Sequence, residues 1–184
     1  MRTGRTILIS LTFVFFISIA FGYIFALKYE PLTKNMVENL FSEFGFVGSL
    51  KHYEVFAFIF LNNTLKAFSA MILGVFLGIV PLLFVVFNGI VIGVVVGYVG
   101  MEIGILRTLL LLIPHGILEI PAILVSCAYG FEMGIAFYRL LRGERISLDA
   151  VILEHLKKFV KIPLPMLLVA ALIETYITPV VGGL

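Results

Sequence analysis

Between Val55 and Leu141 the sequence hardly breaks its apolar character. No soluble fold accommodates such a run, because a domain of this size needs polar residues to coat its surface. The composition agrees: 61% of the 184 residues are hydrophobic and 13% charged, against about 45–50% and about 25% in soluble domains. Mean hydropathy is +1.17, and the 17 glycines suit membrane helices, where glycine is more frequent than in soluble ones. At about 20 residues per crossing, the chain has room for roughly five or six spans. These features exclude a soluble enzyme, a nucleic-acid-binding domain and a disulfide-built secreted domain. The net charge of +2 indicates no nucleic-acid partner, and the single cysteine, Cys127, cannot form an internal bridge.

Punctuation divides the apolar run. Residues 7–27 are uncharged and longer than a signal-peptide core, so they read as a retained first span. Residues 28–53 are the most polar stretch. There Thr33 is expected to cap an amphipathic helix over 34–44, with Val37, Leu40, Phe41 and Phe44 on one face and Gly45 to Gly48 ending it. Pro81, the Asn88-Gly89 turn signal, Pro114 and Gly143 then suggest spans near 55–80, 84–101 and 114–140. Ser147 should cap a second amphipathic helix over 148–160, with Leu148, Val151, Ile152, Leu156 and Phe159 on one side. Pro163 and Pro165 introduce a last span near 164–181, with no tail expected after it.

The sequence therefore predicts a single all-α polytopic transmembrane bundle over 1–184, with five spans and two interfacial amphipathic helices. The segment 84–113 carries an alternative, two half-length re-entrant pieces, since such backbone is tolerated where protein buries it. Arg139, Arg142, Arg145, Lys157, Lys158 and Lys161 form the richest basic cluster, and Arg2 and Arg5 precede the first span. The positive-inside rule places both on the cytoplasmic side, with the N-terminus inside and the C-terminus outside.

Small residues recur at every fourth position in four spans: Ser18, Gly22 and Ala26; Ala70, Gly74 and Gly78; Gly89, Gly93 and Gly97; and Ala122, Ser126, Gly130 and Gly134. In lipid, such stripes let helix backbones approach closely. They imply tight packing within the bundle, or a homo-oligomer face if one of them points outward.

Polar residues within spans are expensive and normally face the bundle interior. Asn62 and Asn63 adjoin in the second span, with Lys66 one turn further, and Asn88 opens the third. His115 and Glu119 share a helical face at the start of the fourth, and Glu174 lies in the last. Counting about 1.5 Å per residue from the expected span ends puts Asn62 and Asn63 roughly 12 Å, Glu119 roughly 8 Å and Glu174 roughly 12 Å below the outer boundary. Three readings fit this cluster: a hydrogen-bond network fixing register, an ion or proton path, or a metal site. For the last, His115, Glu119 and Glu174 would hold zinc or another divalent ion, although no second histidine is in reach. His52 and His155 lie in polar segments and read as solvated, Ser126 and Cys127 as core. There is no phosphate loop, G-x-S-x-G or H-E-x-x-H motif, so a catalytic site is not expected.

The runs Phe87-Asn88-Gly89-Ile90-Val91-Ile92-Gly93 and Ile113-Pro114-His115-Gly116-Ile117-Leu118-Glu119-Ile120-Pro121-Ala122, with the Asn62-Asn63 pair upstream, resemble the stage II sporulation protein M family over about residues 54–184. The resemblance implies an integral membrane protein of several helices. In endospore formers the family belongs to a membrane complex with peptidoglycan-degrading partners, where it resembles a scaffold rather than the hydrolase. The leading expectation is thus a non-enzymatic membrane scaffold, homo-oligomeric, with the bilayer and a membrane or cell-envelope protein as partners. The alternative is a small channel or transporter using Asn62, Asn63, Asn88, His115, Glu119 and Glu174, and the third a membrane-embedded metalloprotein or hydrolase.

Overall fold

A computed structural model describes residues 2–43 and 45–182; the side chains of Arg2, Thr3, Phe41, Glu43, Val47, His115 and Val181 lie outside that description, as does Phe44 altogether. Among the described residues the regular structure is helical: α1 (Arg2–Lys28), α2 (Glu30–Glu43), a 3-10 turn (Gly45–Ser49), α3 (His52–Leu73), α4 (Ile79–Ile103), α5 (Ile105–Leu141), α6 (Leu148–Lys161), α7 (Pro163–Tyr176) and α8 (Thr178–Gly182). Five apolar stretches are long enough to cross a membrane: Gly4–Lys28, His52–Leu73, Ile79–Ile103, Gly116–Leu141 and Leu148–Val180.

The four small-residue stripes pair off inside the chain. Those of α1 and α4 face each other in parallel: a Cβ on Gly89 would lie 2.7 Å from the Ser18 Cβ, and one on Gly97 2.6 Å from the Ala26 Cβ. A Cβ on Gly22 would meet the Ile90 carbonyl oxygen, and one on Gly93 that of Ile19. The stripes of α3 and α5 do likewise, Gly74 against Gly130 and Gly134 against Gly78. Backbone-to-backbone contact of this kind is how helices associate where lipid is as apolar as any side chain. The stripes therefore present no oligomer face, since their close-packed partners are internal. Because α1 meets α5 with Gly4 beside Glu132, α1 and α4 run one way and α3 and α5 the other. His155 beside Glu132 makes α6 and α7 run with α1.

Several expected boundaries move. α2 starts at Glu30 with Pro31 in its first turn, where a missing N–H is harmless. Thr33 is consequently no cap: it is fully buried within the helix, and its hydroxyl donates to the Tyr29 carbonyl. α2 docks through Val37 against Val94 and Tyr98 of α4. α3 stops at Leu73, and residues 74–78 turn the chain, with Leu77 (φ 58°) and Gly78 (φ 73°) in the left-handed region. Asn88-Gly89 is not a turn. Gly89 is a packing position in mid-helix, and Asn88 donates to the Phe84 carbonyl.

Nor does 84–113 hold two re-entrant halves. α4 is one helix of 25 residues, about 38 Å long and sufficient to cross a ~30 Å core. The break falls at Gly104 (φ 90°), and α5 begins at Ile105, not Pro114. Pro114 and Pro121 lie within α5. Each removes an intrahelical donor, from the Leu110 and Ile117 carbonyls respectively. α6 begins as expected, the Ser147 hydroxyl accepting from the Ala150 N–H at 3.4 Å. It does not lie apart on the surface: His155 and Phe159 are buried where it packs along α5 and α7.

Candidate intramembrane polar site

The expected cluster separates into three parts. On α4 and α5, Asn88 and Glu119 are the polar members of a cavity of about 170 Å³ lined also by Phe15, Ile92, Leu112, Gly116, Ile120 and Ile123. Glu119 lies fourteen residues into α5, and three residues into its membrane-crossing stretch, Gly116–Leu141. A cavity of that size has room for several waters. Pro121 leaves the Ile117 carbonyl without its helical donor half a turn from Glu119, adding a backbone acceptor at this level.

On α7, Glu174 is half-buried and within electrostatic reach of Glu119, which also feels Lys66 of α3. Neither carboxylate has a hydrogen-bond or ion-pair partner among the described residues. Lys66 is exposed and lines a groove between α3 and α4 with Leu65, Ser69, Ala70, Leu73, Val80 and Phe84. Asn62 donates to Asn63 Oδ1 at 3.4 Å, a weak contact on the same helix. The imidazole of His115 lies outside the described residues, and among those described no three His, Cys, Asp or Glu side chains are placed to hold a metal.

A third polar contact was not expected. His155 is buried, with Nε2 2.6 Å from Glu132 Oε2 and Nδ1 donating to the Val151 carbonyl at 2.8 Å. With Nδ1 committed as a donor, the short Nε2–carboxylate contact must itself hold a proton. The Tyr129 ring meets the imidazole edge-on at 5.4 Å, and Lys158 lies over Tyr129 while pairing with Glu154 at 2.6 Å. The solvated reading of His155 is thus corrected. The signal was its spacing: it completes the face running from Val151 to Phe159. His52 is exposed as expected and stacks on Tyr176; Ser126 and Cys127 are fully buried.

Two hydroxyls escaped the sequence reading as well. Thr64 Oγ1 and Thr175 Oγ1 are buried with no hydrogen-bond partner among the described residues. One follows Asn63 on α3, the other Glu174 on α7.

Fold and site together define a multi-pass α-helical membrane protein with ionisable groups inside its bundle. A sequence model of the family described as stage II sporulation protein M matches residues 11–179, and the chain belongs to that family. The match takes in α1 and α2, which the motif resemblance had not reached. An uncharacterized protein of Methanocaldococcus jannaschii is 33% identical over 126 residues, 65% of this chain and 68% of that one. No solved structure matches.

Proposed function

We propose that this protein passes a small cation across the membrane, with Glu119 and Glu174 as the groups that bind it in transit. The observation carrying this reading is two intramembrane carboxylates without a hydrogen-bond or ion-pair partner among the described residues, one of them on a cavity large enough for water. Intramembrane ionisable residues mark ion and proton pathways when no structural partner accounts for them. Asn88 supports it by adding a polar wall opposite Glu119. The cluster of Arg139, Arg142 and Arg145 at the same end as Arg5 supports a cytoplasmic N-terminus and an external C-terminus. Flux assays on proteoliposomes test the reading: wild type should conduct protons or an alkali cation, and Glu119→Gln and Glu174→Gln should not. No flux of any of these ions in wild type would sink it.

A second reading, a scaffold within an envelope assembly, is favoured by the family match. It would be homo-oligomeric or joined to another membrane protein through surfaces other than the four stripes. The mass of the detergent-solubilised protein, beside recovery of a stable membrane partner, decides it.

A further inference from the structure

Lys66 is the only lysine, arginine or histidine between Val55 and Leu106, and it makes no ion pair among the described residues. Inside a span such a charge is expensive and marks an ion path when no partner neutralises it. Its place in the bundle follows from the packing. Lys66, Ala70 and Gly74 form one row at every fourth position of the sequence. Gly74 meets Gly130, and Gly134 meets Gly78, so α3 and α5 lie side by side in parallel. Carrying that register back eight residues on each helix sets Lys66 level with Ala122. Glu119 is then one turn further from the end that carries Arg5 and Arg139, and within electrostatic reach of Lys66.

α4 supplies the third wall. Val80 and Phe84 line the groove that holds Lys66, and Asn88 and Ile92 line the cavity that holds Glu119. These four residues recur at every fourth position, each the helical neighbour of the next, and Asn88 donates to the Phe84 carbonyl across the join. Groove and cavity therefore follow each other along one row of α4. The groove lies toward the turn at 74–78, the cavity beyond it, and Lys66 between the turn and Glu119. An ion approaching Glu119 from that end passes the ammonium before it reaches the carboxylate. The repulsion it meets scales with its own charge, so a divalent ion meets twice what a monovalent one does. Packed helices lie about 8–10 Å apart, and one unit charge at about that distance, in an effective dielectric near 20, separates the two ion classes by roughly tenfold.

We infer that Lys66 is the specificity-determining residue of the proposed passage: a tethered cation between groove and cavity that holds divalent ions off Glu119 and admits monovalent ones. The inference rests on the cation passage and names the class of ion it takes. Proteoliposomes of the full chain test it, with calcium uptake compared with the uptake of protons or sodium, whichever the wild type carries. Wild type should carry the monovalent ion and exclude calcium. Lys66→Met should raise the ratio of calcium to monovalent flux roughly tenfold, and Lys66→Arg should keep the wild-type ratio. Lys66→Cys separates charge from folding within one reconstituted sample, because Lys66 is exposed whereas Cys127 is fully buried. Aminoethyl methanethiosulfonate, which restores the positive charge, should return the wild-type ratio; the uncharged ethyl reagent should not. A ratio unchanged in Lys66→Met, or returned equally by both reagents, overturns the role of Lys66. Flux that Glu119→Gln abolishes but Lys66 variants leave unselective or unaltered keeps the passage and refutes the filter. No flux in wild type or in any Lys66 variant sinks both.

Discussion

Two polar clusters sit inside one apolar bundle, and they are finished to different degrees. At the basic end, every ring nitrogen of His155 has an acceptor, Glu132 is engaged, and Lys158 and Glu154 pair beside them. Further up the bundle, Glu119 and Glu174 lie within electrostatic reach of each other without a bond, and the Thr64 and Thr175 hydroxyls are buried without a hydrogen-bond partner, among the described residues. A saturated network locks helices together; an unsaturated one is held in place by the packing around it. Polarity inside a membrane protein is therefore not one signal, and the count of satisfied donors separates architecture from site.

Substitutions should break the comparison in order of size. Gly93→Leu touches neither cluster but drives a side chain into the Ile19 backbone. Overpacking at a backbone contact costs about 3 kcal/mol or more, so the variant should fail to yield monodisperse protein by size exclusion. Glu132→Ala leaves the buried His155 without its partner and should cost about 2–3 kcal/mol, read as a fall in melting temperature. Glu132→Leu with His155→Leu should recover part of that loss, because a buried pair replaced by apolar groups is often neutral. Thr175→Val should be neutral or stabilise by up to about 1 kcal/mol, since it removes a buried hydroxyl without a partner among the described residues. Glu119→Gln is the mildest, within about 0.5 kcal/mol of wild type on the same melt, yet it should abolish flux. A large loss of stability in Glu119→Gln would place that carboxylate in a structural network like the His155 one and erase the contrast.

The membrane class, the five spans and the small-residue stripes were legible because hydropathy and a period near four are properties of the chain read locally. What each stripe faces was not, since pairing α1 with α4 and α3 with α5 is a tertiary choice among four similar surfaces. Asn88-Gly89 misled for a related reason: glycine has one signature for a turn and for a close approach, and only the neighbour distinguishes them. The site residues Glu119 and Glu174 were found from their rarity in apolar spans. Glu132 went unnoticed beside the basic cluster, and His155 was judged by its charged neighbours rather than by its place on the Val151–Phe159 face. Thr64 and Thr175 carried no signal in sequence, because a threonine that bonds its own helix and one that does not look identical until the partner is sought.

The stripes also set the mechanics of the molecule. With no side chain between them, α1 and α4 are clamped along most of their common length, and α3 is clamped to α5 near the turn at 74–78. The helices of each pair thus hold together rather than standing as independent rods, and the two pairs are joined covalently through the turn at 74–78, the single residue Gly104 and the stretch between α1 and α3, with α5 packed along α4 and α7 as well. The cavity takes Phe15, Asn88 and Ile92 from the α1–α4 pair and Leu112, Gly116, Glu119, Ile120 and Ile123 from α5. It lies where the two pairs meet, so a cross-link between them, such as a cysteine pair bridging α1 and α5, should hold its volume without touching a single polar group.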